Sequence, residues 1–296
     1  MLFLLTLVAL GVLLVLWGAL VERNRFTVVR EELPVLAKGS KPIRVLHISD
    51  FHVAPWQKRK LAWIAKLADL EPDLVINTGD NLGHRDAIRP TLGALEKLLQ
   101  KPGVFVNGSN DYHAPEVRNP AAYLNKPSTP SHKELIDTHK LTGTFEASGW
   151  KNLNNHSATL TIAGTRIGFL GLDDPHDKLA DFNSVSRQQK EIGSQDLVIG
   201  VAHAPYLEVI RAFGEQGAKL VFAGHTHGGQ ICLPKFGAII TNCDLPRKFA
   251  KGLSQHQVGK SSVWLNVCAG LGTSIFAPVR LFCKPEVRLL TLVSSL

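Results

Sequence analysis

With 296 residues, 45% hydrophobic and 20% charged, the chain carries enough apolar material for a sizeable core, which excludes a disordered tail or linker and fits one large domain. The formal net charge of +8 favours anionic membrane surfaces or phosphorylated substrates, and in the absence of any recognition motif no nucleic-acid partner is expected. Cys232, Cys243, Cys268 and Cys283 are widely spaced and form no CxxC pair, so they read as ordinary buried thiols of a reducing compartment, not as a disulfide framework or thiolate metal site.

Residues 1–21 carry no charged side chain and are dominated by Leu, Val and Ala. A run of about 20 apolar residues matches the ~30 Å hydrocarbon core of a bilayer. It lacks the basic n-region of a signal peptide, and no small-x-small cleavage site stands out after Trp17, so an uncleaved transmembrane anchor is expected. Arg23, Arg25 and Arg30 follow the span, and the positive-inside rule then gives a single-pass protein of the cell membrane with a cytoplasmic catalytic domain. Residues 22–42, with Pro34 inside and Pro42 at the end, read as a polar connector, and residues 43–296 as the catalytic domain.

From Ile43 onward apolar runs alternate with helical patterns, which is α/β organisation. Over residues 57–70, Leu61, Ile64, Ala65 and Ala68 share one helical face and Arg59 and Lys66 the other, predicting a crossover helix. Trp56 and Trp63 flank the basic cluster 58–60 and are candidates for the bilayer interface, with core packing preferred for Trp63. Residues 114–131, rich in Pro, Asn and Ala, read either as an excursion beside the site or as a plain surface loop, before a short helical pattern around Glu134. Alternation over 158–172 about Gly164 and Thr165 predicts a hairpin, closed by Asp173, Asp174, Pro175 and His176, a polar turn that either caps the strand or faces substrate. The apolar and basic segment 276–284 suits a lipid contact, while a buried C-terminal strand would explain Arg280 to Phe282 equally well.

The chemistry sits at the ends of the apolar runs. Asp50 and His52 follow 43–48, Asp80 follows 74–77, Asn110 and Asp111 follow 104–106, His203 follows 197–201, and His225 and His227 follow 220–223. Carboxylates, a carboxamide and imidazoles without thiolates form a donor set for borderline divalent cations in a hydrolytic centre. Each short motif is weak by itself, and the order in which they occur is far stronger.

That order, DxH, then GD, an Asn-bearing loop, a lone His and GHTH, resembles the calcineurin-like metallophosphoesterase superfamily over essentially all of 43–292. The extended run from Gly224 to Gln230 and the closing Gly270, Leu271, Gly272, Thr273 and Ser274 look like its membrane-associated bacterial branch. The resemblance implies a calcineurin-like β-sandwich flanked by helices, here preceded by one N-terminal transmembrane helix. It also implies two divalent metal ions (Mn, Fe or Zn), with Asp50, His52 and His227 on the first, Asn110, His203 and His225 on the second, and Asp80 bridging. Such a pair binds phosphoryl oxygens, lowers the pKa of a bridging water and neutralises charge during in-line attack. The implied activity is hydrolysis of a phosphoester or phosphoanhydride on a membrane lipid, a lipid-linked phosphate or a nucleotide-type substrate.

One motif departs from the family's Gly-Asn-His-Asp/Glu. The chain reads Gly108, Ser109, Asn110, Asp111, Tyr112, His113, so either Ser109 or, by a one-residue shift, Asn110 fills the ligand slot. Chemistry favours Asn110, since a carboxamide oxygen is the better ligand. Either register removes the family's catalytic histidine and leaves Asp111 or His113 as replacement acid. That loss motivates the alternative of a metal-binding scaffold or receptor with little catalysis. A zinc peptidase is disfavoured, because there is no HExxH.

Overall fold

The computed structural model describes residues 1–116 and 134–295, so most of the excursion read over 114–131 lies outside the described residues. In chain order the strands are β1 Thr27–Leu36, β2 Ile43–Ile48, β3 Leu74–Asn77, β4 Gly103–Phe105, β5 Lys151–Asn152, β6 Ser157–Ile162 and β7 Thr165–Gly171. They continue as β8 Leu197–Val201, β9 Leu220–Ala223, β10 Cys232–Leu233, β11 Gly237–Ala238, β12 Gly252–Val258, β13 Ser261–Val267 and β14 Glu286–Ser294. The helices are α1 Leu2–Leu16, α2 Lys58–Ala65, α3 Ile88–Leu95, α4 Ser109–Tyr112, α5 Thr138–Ala147, α6 Ser184–Ile192 and α7 Leu207–Glu215.

Two six-stranded sheets, ordered β1-β14-β2-β3-β4-β5 and β12-β13-β9-β8-β7-β6, lie face to face. Strand alternation decides which residues meet. Val45, Leu74, Ile76 and Val104 of the first sheet interdigitate with Ile167, Phe169, Ile199 and Phe222 of the second. Leu46, Ile48, Val75 and Phe105 point the other way, onto Ile64 of α2, Leu95 of α3 and Phe145 of α5. On the far side, Leu170, Val221 and Leu265 meet Val185 of α6 and Phe213 of α7. The result is the expected β-sandwich with a helical layer on each face.

β2, β3 and β4 run parallel to one another, as do β7, β8, β9 and β13. The carboxyl ends of neighbouring strands therefore open on a common rim, which brings distant motifs together. The expected hairpin forms from β6 and β7, with its turn one residue earlier than Gly164 and Thr165, because Thr165 already pairs with Ile162. Ala163 and Gly164, at φ 50° and 89°, make the two-residue turn of positive φ that matches strand twist.

Residues 27–36, read as connector, instead form the edge strand β1, parallel to β14. Leu33 and Leu36 are buried between the sheets while Arg30 and Glu32 remain exposed, and an edge position tolerates Pro34 because one side has no ladder partner. Segment 276–284 is not a strand; β14 begins only at Glu286, and the segment is a loop. The helical segment Leu2–Asn24 is 23 residues long and apolar enough to cross a membrane, and with 6% of its apolar window buried it is not a core helix.

Candidate metal centre

Each loop leaving a strand on the rim turns sharply. Asp50, His52, Asp80, His225 and His227 all have φ between 40° and 67°, a conformation costly for residues with a Cβ and characteristic of functional sites. Backbone bonds from Asp50 N to Gly79 O (2.9 Å) and from His52 N to Asp80 O (3.0 Å) zip the first two loops together. Gly224 is required by close approach, since a Cβ there would fall on Ser49 Oγ and Asp50 Oδ2.

These loops bring Asp50, His52 and His227 into one group, and Asp50, Asp80 and His203 into a second, with ligand atoms within 4.8 Å of one another in each. His52 Nε2 lies 3.2 Å from His227 Nε2 and 3.3 Å from Asp80 Oδ2. His203 Nε2 is 3.5 Å from Asp80 Oδ2, and His227 Nε2 is 3.5 Å from Asp50 Oδ1. Asp80 thus stands between the two histidine sets. His225 packs edge-on against His203 at 5.2 Å between ring centroids, with its Nε2 3.2 Å from the Asn242 carbonyl oxygen.

The residues present fit divalent cations. His203 Nε2 is buried facing two carboxylates, 3.5 Å from Asp80 Oδ2. Although burial disfavours its charge, Asp80, Asp174 and Asp50 raise its pKa well above 6.5, so a cation bound there would displace a proton. Burial drives His52 down to about 4 against the pull of Asp80, and lowers His225 and His227 well below 6.5, so these imidazoles are neutral, the ligand form. Burial works to raise Asp80, but the charge of His203 beside it holds it well below the usual carboxylate range. Burial pushes Asp50 up to about 6, opposed by His203 and helped by the like charge of Asp80. A cation between them would relieve that repulsion.

Asn110 joins the centre through Asp80. Its backbone N–H donates to Asp80 Oδ1 (2.8 Å) and its carboxamide to Asp80 Oδ2 (2.9 Å). Asp111, one of the two candidate acids, is not brought into the cavity. It is fully buried and accepts from Asn81 N (2.8 Å), Leu82 N (3.3 Å), Gly108 N (3.1 Å) and Asn81 Nδ2 (3.2 Å), so it braces the loop from behind. His113, the other candidate, lines the cavity, with Nε2 3.8 Å from Asp177 Oδ2. In the turn after β7, His176 and Asp177 also line the cavity, while Asp173 accepts from the Tyr112 hydroxyl (2.8 Å).

Sequence reasoning passed over three supports. Arg280 is fully buried and donates to the carbonyls of Ala269 (2.6 Å), Gly272 (2.7 Å), Gly270 (3.1 Å) and His227 (3.3 Å). Lys60 of α2 donates to Phe51 O (2.8 Å) and His52 O (3.3 Å). Ser49 donates to Asp50 Oδ2 (2.5 Å). The signal for Arg280 was a lone arginine inside an otherwise apolar stretch.

A cavity of about 590 Å³ opens over the centre, with His52, Asp80, Asn110, His225 and His227 on its polar side. Strand-end carboxylates and imidazoles below a cavity, on a helix-flanked β-sandwich, are a donor set suited to a metal-dependent hydrolase. The chain belongs to the calcineurin-like phosphoesterase family, whose profile matches residues 43–229. It is 29% identical to the protein YpbG of Bacillus subtilis over 264 residues, 86% of this chain and 83% of that one. In a gapped alignment of 329 positions that covers 95% of this chain and 93% of the other, it is 25% identical to the UDP-2,3-diacylglucosamine pyrophosphatase LpxG of Chlamydia muridarum. Among solved structures, TT1561 of Thermus thermophilus aligns with a TM-score of 0.44 at 14% identity, covering 78% of this chain and 91% of that one.

Proposed function

We propose that the chain is a membrane-anchored, metal-dependent hydrolase of phosphoester or phosphoanhydride bonds acting on a membrane lipid or lipid-linked phosphate. Two divalent cations would be held by Asp50, His52 and His227 on one side and by Asn110, His203 and His225 on the other, with Asp80 between. The observation that carries this reading is the pair of overlapping Asp and His groups beneath the cavity, in which the buried Nε2 of His203 faces the carboxylates of Asp50 and Asp80. The lipid emphasis is supported by the apolar N-terminal helix, the basic charge and the name of the Chlamydia relative.

When bound, the cations supply Lewis-acid polarisation of phosphoryl oxygens and neutralise charge in an in-line displacement. The chain's residues hold the geometry. Nδ1 of His203 meets Thr78 O at 2.7 Å and Nδ1 of His227 meets Gly272 O at 3.2 Å, which leaves Nε2 of each ring for a cation. Ser49 and the backbone N–H of His225 fix Asp50. His113 is the proton donor to the leaving group, since it lines the cavity, with its Nε2 3.8 Å from Asp177 Oδ2. Asp111 does not share it, since both its oxygens are engaged.

The test uses the detergent-solubilised full chain with Mn²⁺, measuring metal content and hydrolysis of bis(p-nitrophenyl) phosphate and of a lipid diphosphate. We expect about two metals per chain, and Asp80→Ala to lower kcat/KM roughly a hundredfold or more, as losing several kcal/mol of charge stabilisation requires. Equal background rates in wild type, Asp80→Ala and His113→Ala would instead make the chain a metal-binding scaffold.

A further inference from the structure

The cavity lining also holds an apolar set, Ile231, Ile239, Phe276 and Val279, together with Val15 of α1. Val15 belongs to the helical segment long and apolar enough to cross a membrane, so one wall of the cavity is itself part of that segment. The attachment is firm. Gly18 is buried where a Cβ would lie 2.6 Å from Arg280 O and 2.8 Å from Val279 Cγ1. Arg280 N donates to Gly18 O (3.3 Å), and Cys283 N to Glu22 Oε1 (2.7 Å). Val15 precedes Glu22, the first charged residue, by roughly 10 Å of helix. With α1 across a bilayer and Glu22 at its surface, the part of the cavity lined by Val15 lies about 10 Å below that surface.

The neighbouring surface agrees. Phe276 and Phe282 are 45% and 51% exposed, and Leu233 and Phe236 of the β10–β11 hairpin 47% and 58%. The hairpin is tied to the same loop by Cys232 N donating to Leu281 O (2.8 Å). Exposed Lys235 and Lys284 stand among these side chains, and the Arg247 guanidinium lies 4.5 Å from the Phe236 ring centroid. Apolar tips with a basic rim are suited to the interfacial zone of an anionic leaflet.

We infer that the cavity receives a lipid phosphate laterally from the leaflet, with the phosphate over the Asp and His groups and an acyl tail leaving between Val15 and residues 276–279. This rests on the hydrolase reading and adds to it the path of the tail. A soluble phosphate compound entering from water would need none of that apolar wall.

The test uses the full chain in phosphatidylcholine vesicles containing phosphatidic acid with a diazirine near the end of one acyl chain. Light-induced adducts are mapped by mass spectrometry. We expect adducts on Val15, Ile239 and residues 276–279, with Phe276→Asp lowering them about tenfold, the ratio that loss of one buried aromatic contact gives. Leu207→Glu, on an exposed residue of α7, leaves the pattern unchanged. Adducts confined to the first twelve residues of α1 would overturn the inference. Labelling needs no turnover, so wall adducts without hydrolysis of any phosphate compound would sink the hydrolase reading alone. Hydrolysis of bis(p-nitrophenyl) phosphate without wall adducts would sink the tail path alone.

Discussion

Asp50 is aimed by a chain of hydrogen bonds that crosses the sandwich. Arg288 Nε donates to Asn266 Oδ1 (2.7 Å), Asn266 Nδ2 to His47 Nδ1 (2.9 Å), and His47 Nε2 meets Thr78 Oγ1 at 3.0 Å. Thr78 then donates to Ser49 (2.6 Å) and Ser49 to Asp50. The directions close only if His47 is neutral with its proton on Nε2. Burial, and then the positive charge of Arg288, lower its pKa well below 6.5. The unfolded chain therefore takes up a proton that the folded chain refuses. The stabilisation is complete above about pH 6.5 and is lost progressively as pH falls below it. Thermal midpoints of the metal-free chain should accordingly fall as the medium is acidified below that value, and His47→Gln should reduce the slope, leaving the part due to His52, His225 and His227. An unchanged slope would assign the acid sensitivity elsewhere. Ser49→Ala, which removes the last link, is expected to weaken metal binding by about 10- to 100-fold in a chelator competition.

At the scale of elements, loop 272–285 fastens α1 to the centre. Its Arg280 backbone and its Cys283 hold Gly18 and Glu22, while the Arg280 guanidinium gathers the carbonyls of the loops after β9 and β13. Arg280→Met leaves those carbonyls buried without donors, an expected loss of about 3 kcal/mol or more in unfolding free energy, since bonds to a charged donor are among the strongest. Rescue by Arg280→Lys should be partial, because an ammonium lacks the planar fork that reaches several carbonyls at once. Denaturant titration of the three proteins checks the order. Of this the sequence carried only the lone arginine in an apolar stretch, where Arg280 to Phe282 suited a lipid contact or a strand. Asp50, His52, Asp80, His203, His225 and His227 were legible because each follows an apolar run, and parallel pairing carries strand ends to one rim without long-range information. Asp111 was not. Its four donors come from a loop conformation that residue spacing does not encode. β1 was hidden by Arg30, Glu31, Glu32 and Pro34, an edge-strand composition that reads as linker until β14 is seen beside it.

At the scale of the whole molecule, the rim that gathers the ligands is also the rim to which α1 is fixed, so if α1 spans a bilayer as proposed, the site would be held beside it and would not swing as on a flexible tether. Gly18 and Glu22 are buried against the domain immediately after the apolar helix, and Arg23 and Arg25 follow before β1 begins. Positive charge retained beside a span resists translocation, which is the physical content of the positive-inside rule. The proposed cytoplasmic orientation has a direct consequence for labelling. The domain cysteines are buried or half-buried. A cysteine introduced at Lys190, exposed on α6, would therefore be the reactive thiol of the variant. With the domain inside the cell, a membrane-impermeant maleimide modifies Lys190→Cys only after lysis, whereas modification in intact spheroplasts would reverse the orientation. Reversal would leave the metal centre and the tail path intact, because both are set by how α1 meets the rim and not by which leaflet that rim faces.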